Sequence, residues 1–135
     1  MPVRVYGFIE GYTDYIQDDH NLEQIRQLPS TGVYLPNYLF SLVPYCRHAY
    51  YGSHIHFAAG YKEFYTLERE WIEEFELLLS KLYWSSAEAM LTWSQERYIW
   101  DSDYSSSMPT NVTNQIVKRR KLESAWELKE VPWNS

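Results

Sequence analysis

The sequence predicts an α+β fold: an antiparallel or mixed sheet with one long amphipathic helix and a shorter helix packed on it. Three observations carry that expectation. Thr66–Tyr83 holds the longest apolar repeat of helical period in the chain. Val3–Glu10 and Ser53–Tyr61 alternate with the period of strands. Directly after the long helix, two more alternating segments lie close enough to pair as a hairpin. A chain of 135 residues is expected to form one domain, 1–135, large enough to bury a core.

In Val3–Glu10, the set Val3, Val5, Gly7 and Ile9 alternates with Arg4, Tyr6, Phe8 and Glu10. Both sets contain apolar residues, which suits a central strand covered on both sides. Gly11 and Thr13-Asp14 end it. In Tyr15–Leu28 the spacing of Leu22, Ile25 and Leu28 predicts a short helix, with Asp18, Asp19 and Asn21 as helix-start residue types and Pro29 as its stop. Pro29–Gly32 is a turn. Across Val33–Tyr51, Pro36 and Pro44 argue against a regular helix or central strand. A loop with short extended pieces is expected there. In Ser53–Tyr61, Ile55, Phe57 and Ala59 face one way, and His54, His56 and Ala58 the other.

On Thr66–Tyr83, Leu67, Trp71, Phe75, Leu78 and Leu82 form an apolar arc flanked by Ile72, Leu79 and Tyr83. Thr66 is the expected N-cap. The opposite face carries Arg69, Glu70, Glu73, Glu74, Glu76, Ser80 and Lys81, with Leu77 set among them. No Glu on it has a Lys or Arg four residues later, the spacing that best supports a helix. Ser86–Ser94 and Tyr98–Tyr104 form the hairpin through Gln95-Glu96-Arg97. Ser105–Asn114 is a loop, and Ile116–Leu122 and Trp126–Val131 are the last strand candidates.

The net charge of −6 is unevenly distributed. Residues 1–117 hold 7 basic and 15 acidic side chains, and residues 118–135 hold 5 and 3. The main body is therefore ill suited to nucleic acid, which requires clustered Lys and Arg. It suits a basic partner, because opposite potentials orient docking. Thirteen Tyr and six Trp are too many for a disordered chain, and are residue types that anchor interfaces. The one cysteine, Cys46, excludes an internal disulfide and Cys-rich zinc motifs, and fits a reducing compartment. The N-terminus lacks the pattern of a signal peptide, and no segment suits a membrane span. A cytoplasmic protein without membrane contact is expected.

Catalytic motifs are absent: there is no G-x-S-x-G, no glycine-rich phosphate loop and no H-E-x-x-H. The expectation is a protein that is not an enzyme and needs no cofactor. His54-x-His56 puts two imidazoles on one strand face, a spacing found in metal sites, but a site needs further ligands. The basic run Lys118-Arg119-Arg120-Lys121, on a strand, alternates between faces and makes no single patch. The remaining constellation is acidic: the outer helix face, with Asp18, Asp19, Asp101 and Asp103.

The opening VYGFIEG and the block WIEEFELLLSKLYWSSAEAMLTWSQERYIW, a helix running into a hairpin, resemble small bacterial immunity proteins of polymorphic toxin systems, including contact-dependent growth inhibition. The resemblance spans about half the chain. It is one of size, acidity, aromatic richness and layout, and it carries over no binding residue one by one. The basic tail departs from a uniformly acidic inhibitor. The resemblance implies a protein that binds and neutralises one cognate toxin domain, for example a nuclease. The residues expected to meet that partner are Glu70, Glu73, Glu74, Leu77, Asp101, Asp103 and Tyr104. The alternatives are a metal protein or small enzyme centred on His54 and His56, and a homo-oligomeric interaction subunit.

Overall fold

The computed structural model of the chain describes residues 3–11, 13–43, 53–92, 95–103, 115–122 and 130–131. Among them, seven strands form one antiparallel sheet beside two helices, an α+β fold. In chain order these are β1 (Val3–Gly11), α1 (Tyr15–Arg26), β2 (Phe40–Val43), β3 (Ser53–Tyr61), α2 (Phe64–Leu79), β4 (Ser86–Leu91), β5 (Arg97–Ser102), β6 (Ile116–Leu122) and β7 (Glu130–Val131). The strand order across the sheet is β2-β3-β1-β4-β5-β6-β7.

Strand β1 lies between β3 and β4 and is antiparallel to both. The segment β3–α2–β4 therefore crosses over β1, and β1–α1–β2 crosses over β3. The two crossovers run in opposite directions along oppositely directed strands. Right-handed connections of that kind place both helices on the same face. Val3, Val5 and Ile9 of β1, Ile55 and Phe57 of β3, Ala87, Ala89 and Leu91 of β4, and Tyr98 and Trp100 of β5 point to that face. They form one buried cluster with Trp71, Ile72, Phe75, Leu78 and Leu79 of α2 and Ile25 of α1. β1 is thus covered on one face only: Arg4 and Tyr6 are exposed on the other.

Several boundaries differ from the sequence expectation. α2 begins at Phe64, two residues ahead of Thr66, because the fully buried Phe64 is drawn into the core. Thr66 does not cap the helix; its hydroxyl donates to the Glu63 carbonyl at 2.8 Å. The helix ends at Leu79, short of Tyr83. There the Asn21 side chain competes for the backbone: its amide donates to the Tyr83 carbonyl and its oxygen accepts the Tyr83 N–H, each at 2.9 Å. α1 is capped by Asp14, which accepts the Gln17 N–H while Gln17 accepts the Asp14 N–H. Asp18 and Asn21 lie buried inside that helix instead of at its start.

Within Val33–Tyr51, a 3-10 turn at Asn37–Leu39 leads into β2, a short edge strand against β3. Proline is kept out of the pairing: Pro36 precedes it, and Pro44 lies outside the described residues. The β4–β5 hairpin forms as expected, with Ser86 opposite Asp101 and Ala89 opposite Tyr98. Its first strand is shorter, ending at Leu91. β6 spans the expected residues. Trp126 and the first part of the last strand candidate lie outside the described residues, as do Tyr104 and Cys46.

Candidate functional site

The outer side of α2 faces away from the sheet because the apolar arc, at the helical period, takes the inner side. Not all acids of the helix are available there. The sequence reading left them without partners; distant elements supply partners for three. Glu74 accepts the backbone N–H groups of Tyr34 (3.0 and 3.2 Å) and Leu35 (3.2 Å), fixing the loop ahead of β2. Glu76 accepts from Trp100 Nε1 at 2.8 Å and from Arg119 at 2.7 Å. Glu68 pairs with Lys121 at 3.1 Å, and Lys121 also reaches Glu96 at 2.9 Å.

The basic run on β6 is thereby explained. Arg119 and Lys121 share the helix-facing side of the strand and answer Glu76, Glu68 and Glu96. Arg120, on the other side, pairs with Asp101 at 3.3 Å. Burial alone depresses the Lys121 ammonium, but the hydrogen bonds it donates to Glu96 and Glu68 outweigh it and its pKa is raised. The Tyr98 phenol beneath Lys121 is raised chiefly by burial, then by Glu68.

Of the residues expected to meet a partner, Glu70, Glu73 and Leu77 remain on the outer helix face. They stand at i, i+3 and i+7, one stripe of the surface. Leu77 is 59% exposed. Among the described residues Glu73 pairs with Arg69, at 3.6 Å, and both are solvated; such a pair contributes little. Glu74 and Asp101 are engaged internally. Asp103 accepts the Gln115 N–H at 2.6 Å, tying the residue after β5 to the residue before β6. Asp101 and Asp103 lie on β5 and just beyond it, away from the α2 stripe along the chain. Tyr104 lies outside the described residues.

His54 and His56 sit on the sheet face opposite α1 and α2, their rings stacked at 5.9 Å. His54 Nδ1 lies 3.5 Å from Glu10, its partner across the β1–β3 register. Among the described residues, no group of three or more His, Cys, Asp or Glu is placed to hold a metal ion. No helix there is long and apolar enough to cross a membrane.

Two surface features escaped the sequence reading. The helix-free sheet face exposes Tyr6, His56, Ala58 and Met90. A depression of about 690 Å³ also opens beside β3, between the Tyr34–Leu39 loop and the start of α2. Both depend on which strands lie at an edge or face solvent, which alternation within single strands does not specify. No protein-family model, curated protein or solved structure matches the chain.

Proposed function

We propose that this protein is an immunity protein: it binds a cognate toxin domain in the cytoplasm and neutralises it by covering its active site or an adjacent exosite. The observation that carries the reading is the α2 stripe. Glu70 and Glu73 stay solvated in line with an exposed Leu77, while Glu68, Glu74 and Glu76 of the same helix are consumed by internal partners. Two carboxylates leading to an apolar anchor suit a basic protein surface. The charges steer the encounter and the leucine is desolvated at the centre. The protein supplies no chemistry in this role; occlusion suffices.

The test is association with the toxin domain encoded beside this protein's gene, or recovered with it from its own cells. Glu70→Lys with Glu73→Lys should slow association at low salt by tenfold or more, with an unchanged circular dichroism spectrum. Unchanged affinity at low salt would remove α2 from the interface. The metal reading would be restored by stoichiometric zinc or iron that a His54→Ala, His56→Ala variant loses.

A further inference from the structure

β2 covers only half of β3. Its four residues pair with His54–Phe57. The chain before Phe40 leaves the sheet in the 3-10 turn at Asn37–Leu39. On that side Ala58–Tyr61 has no backbone partner among the described residues, although the same residues pair with Val3–Tyr6 of β1 on the other side. Alternate residues of a strand direct both N–H and C=O to one side. This stretch, about 13 Å long at 3.3 Å per residue, therefore presents unused donors and acceptors outward.

The space beside this edge is shaped for a single chain. On the helix side lies the depression of about 690 Å³, walled by Tyr34 and Pro36 on one flank, Ala59 and Tyr61 on the other, and closed by Thr66 and Leu67. On the helix-free side a second depression, of about 460 Å³, is bordered by Tyr6, His56 and Ala58. Tyr38, 73% exposed, borders both. An extended strand laid along Ala58–Tyr61 sends successive side chains to opposite faces, hence alternately into the two depressions. The wall is pinned in advance. Glu74 holds the Tyr34 and Leu35 amides, Tyr61 Oη donates to the Tyr34 carbonyl at 2.8 Å, and Trp71 Nε1 donates to Tyr61 Oη at 3.0 Å. A preformed wall lowers the ordering cost of binding.

Charge selects among occupants. Glu63 lines the helix-side depression, and Glu70 stands one helical turn beyond Thr66 on the exposed stripe; Lys62 is the cation beside them. A second copy would bring its own net charge of −6 against these carboxylates. We infer that the Ala58–Tyr61 edge of β3 takes up an extended segment of a partner polypeptide, bound by strand addition, with apolar side chains at alternate positions and a Lys or Arg toward Glu63 and Glu70. This site goes beyond the toxin-binding reading and does not rest on it: it shares Glu70 with the α2 stripe, but its backbone edge and two depressions stand apart from Glu73 and Leu77.

The probe is a displayed library of random eight-residue peptides selected on the full chain. Enriched clones should alternate β-branched or aromatic residues with others and carry a Lys or Arg. In an ¹⁵N-labelled sample the best clone should shift and protect amides within Ala58–Tyr61. Tyr38→Ala, and separately Gly60→Trp, at a position where an added Cβ meets nothing within 4 Å, should each weaken it tenfold or more with the spectrum otherwise intact. Methylating alternate backbone nitrogens of the peptide should do the same in one of the two registers. No enrichment, clones that bind both variants equally, or shifts confined to α2 beyond Glu70 would overturn the inference. So would a concentration-dependent dimer by sedimentation that Tyr38→Ala dissolves, since the edge would then belong to a second copy. Glu73→Lys with Leu77→Ala should leave the peptide affinity within twofold, which separates this site from the toxin-facing stripe.

Discussion

Glu74 reaches forty residues back along the chain to hold Tyr34: both carboxylate oxygens accept the Tyr34 N–H, at 3.0 and 3.2 Å. One side chain of the long helix thereby sets the path of the loop before the edge strand. Replacing it by Ala leaves two partly buried amides unpaired, a loss of about 1–3 kcal/mol. Glu74→Gln keeps an acceptor and should recover part of that. Urea denaturation gives the stability, and faster hydrogen exchange at Tyr34 and Leu35 locates the change.

Glu76 joins Trp100 and Arg119. Glu76→Ala strands the Trp100 N–H against the core and leaves Arg119 without its carboxylate, for about 2 kcal/mol. Arg119→Ala alone should cost less, because Trp100 keeps its acceptor. A double-mutant cycle on the pair should give a coupling above about 0.5 kcal/mol; additive losses would show the ion pair to be incidental.

Gly7 leaves room that Phe57 fills. A Cβ there would lie 2.1 Å from Phe57 Cζ and 2.5 Å from the Glu88 carbonyl oxygen. The ring can give way only by leaving the core, and the backbone oxygen is fixed by pairing with β1. Gly7→Ala should destabilise by about 3 kcal/mol. Gly7→Ala combined with Phe57→Leu should regain part of the loss in thermal melts.

The Tyr61 phenol is pushed up to about 12 from its ordinary 10.0, first by burial and then by the Glu74 charge, against the opposing hydrogen bond from Trp71. The folded protein therefore holds this proton more tightly than the unfolded chain. Its contribution to stability is complete below pH 10 and is lost as pH rises through 12. The raised pKa of Lys121 acts in the same direction. Melting temperature should fall steadily above pH 10, and more shallowly in Tyr61→Phe, which should also be weaker at pH 7 because Trp71 Nε1 loses its acceptor.

Glu70→Lys is the contrasting case. Its carboxylate stands in solvent on the outer stripe, so stability should change by no more than about 0.5 kcal/mol. A larger loss would mean that the stripe is part of the fold and has no carboxylate to spare for a partner.

The strands and the long helix were legible because each has a clear period: Ile55, Phe57 and Ala59 for β3, Trp71, Phe75 and Leu78 for α2. What stayed hidden was the partnering of polar groups across sequence distance. Glu76 shows no cation at helical spacing, yet Arg119 answers it from forty-three residues away. A signal was present, since Arg119 and Lys121 stand two apart on one face of a strand and Glu68 and Glu76 stand two helical turns apart. Nothing in either pattern states that the two elements are neighbours. The caps failed for a related reason. Thr66 has the right chemistry for a helix start, but burial of Phe64 moved the start upstream. Among the acids expected to meet a partner, exposure rather than residue type separated Glu70 and Glu73 from Glu74.

The central position of β1 also sets when the protein can fold. β1 is made before both strands that flank it, which begin at Ser53 and Ser86. Both of its neighbours are distant in sequence, a topology that slows folding. A nascent chain whose β4 has not yet emerged has one side of β1 open and lacks Ala87, Ala89 and Leu91 of the core. The core of the sheet cannot close until Leu91 has been made, so β1 must stay unpaired on that side while everything from α1 to β4 is synthesised.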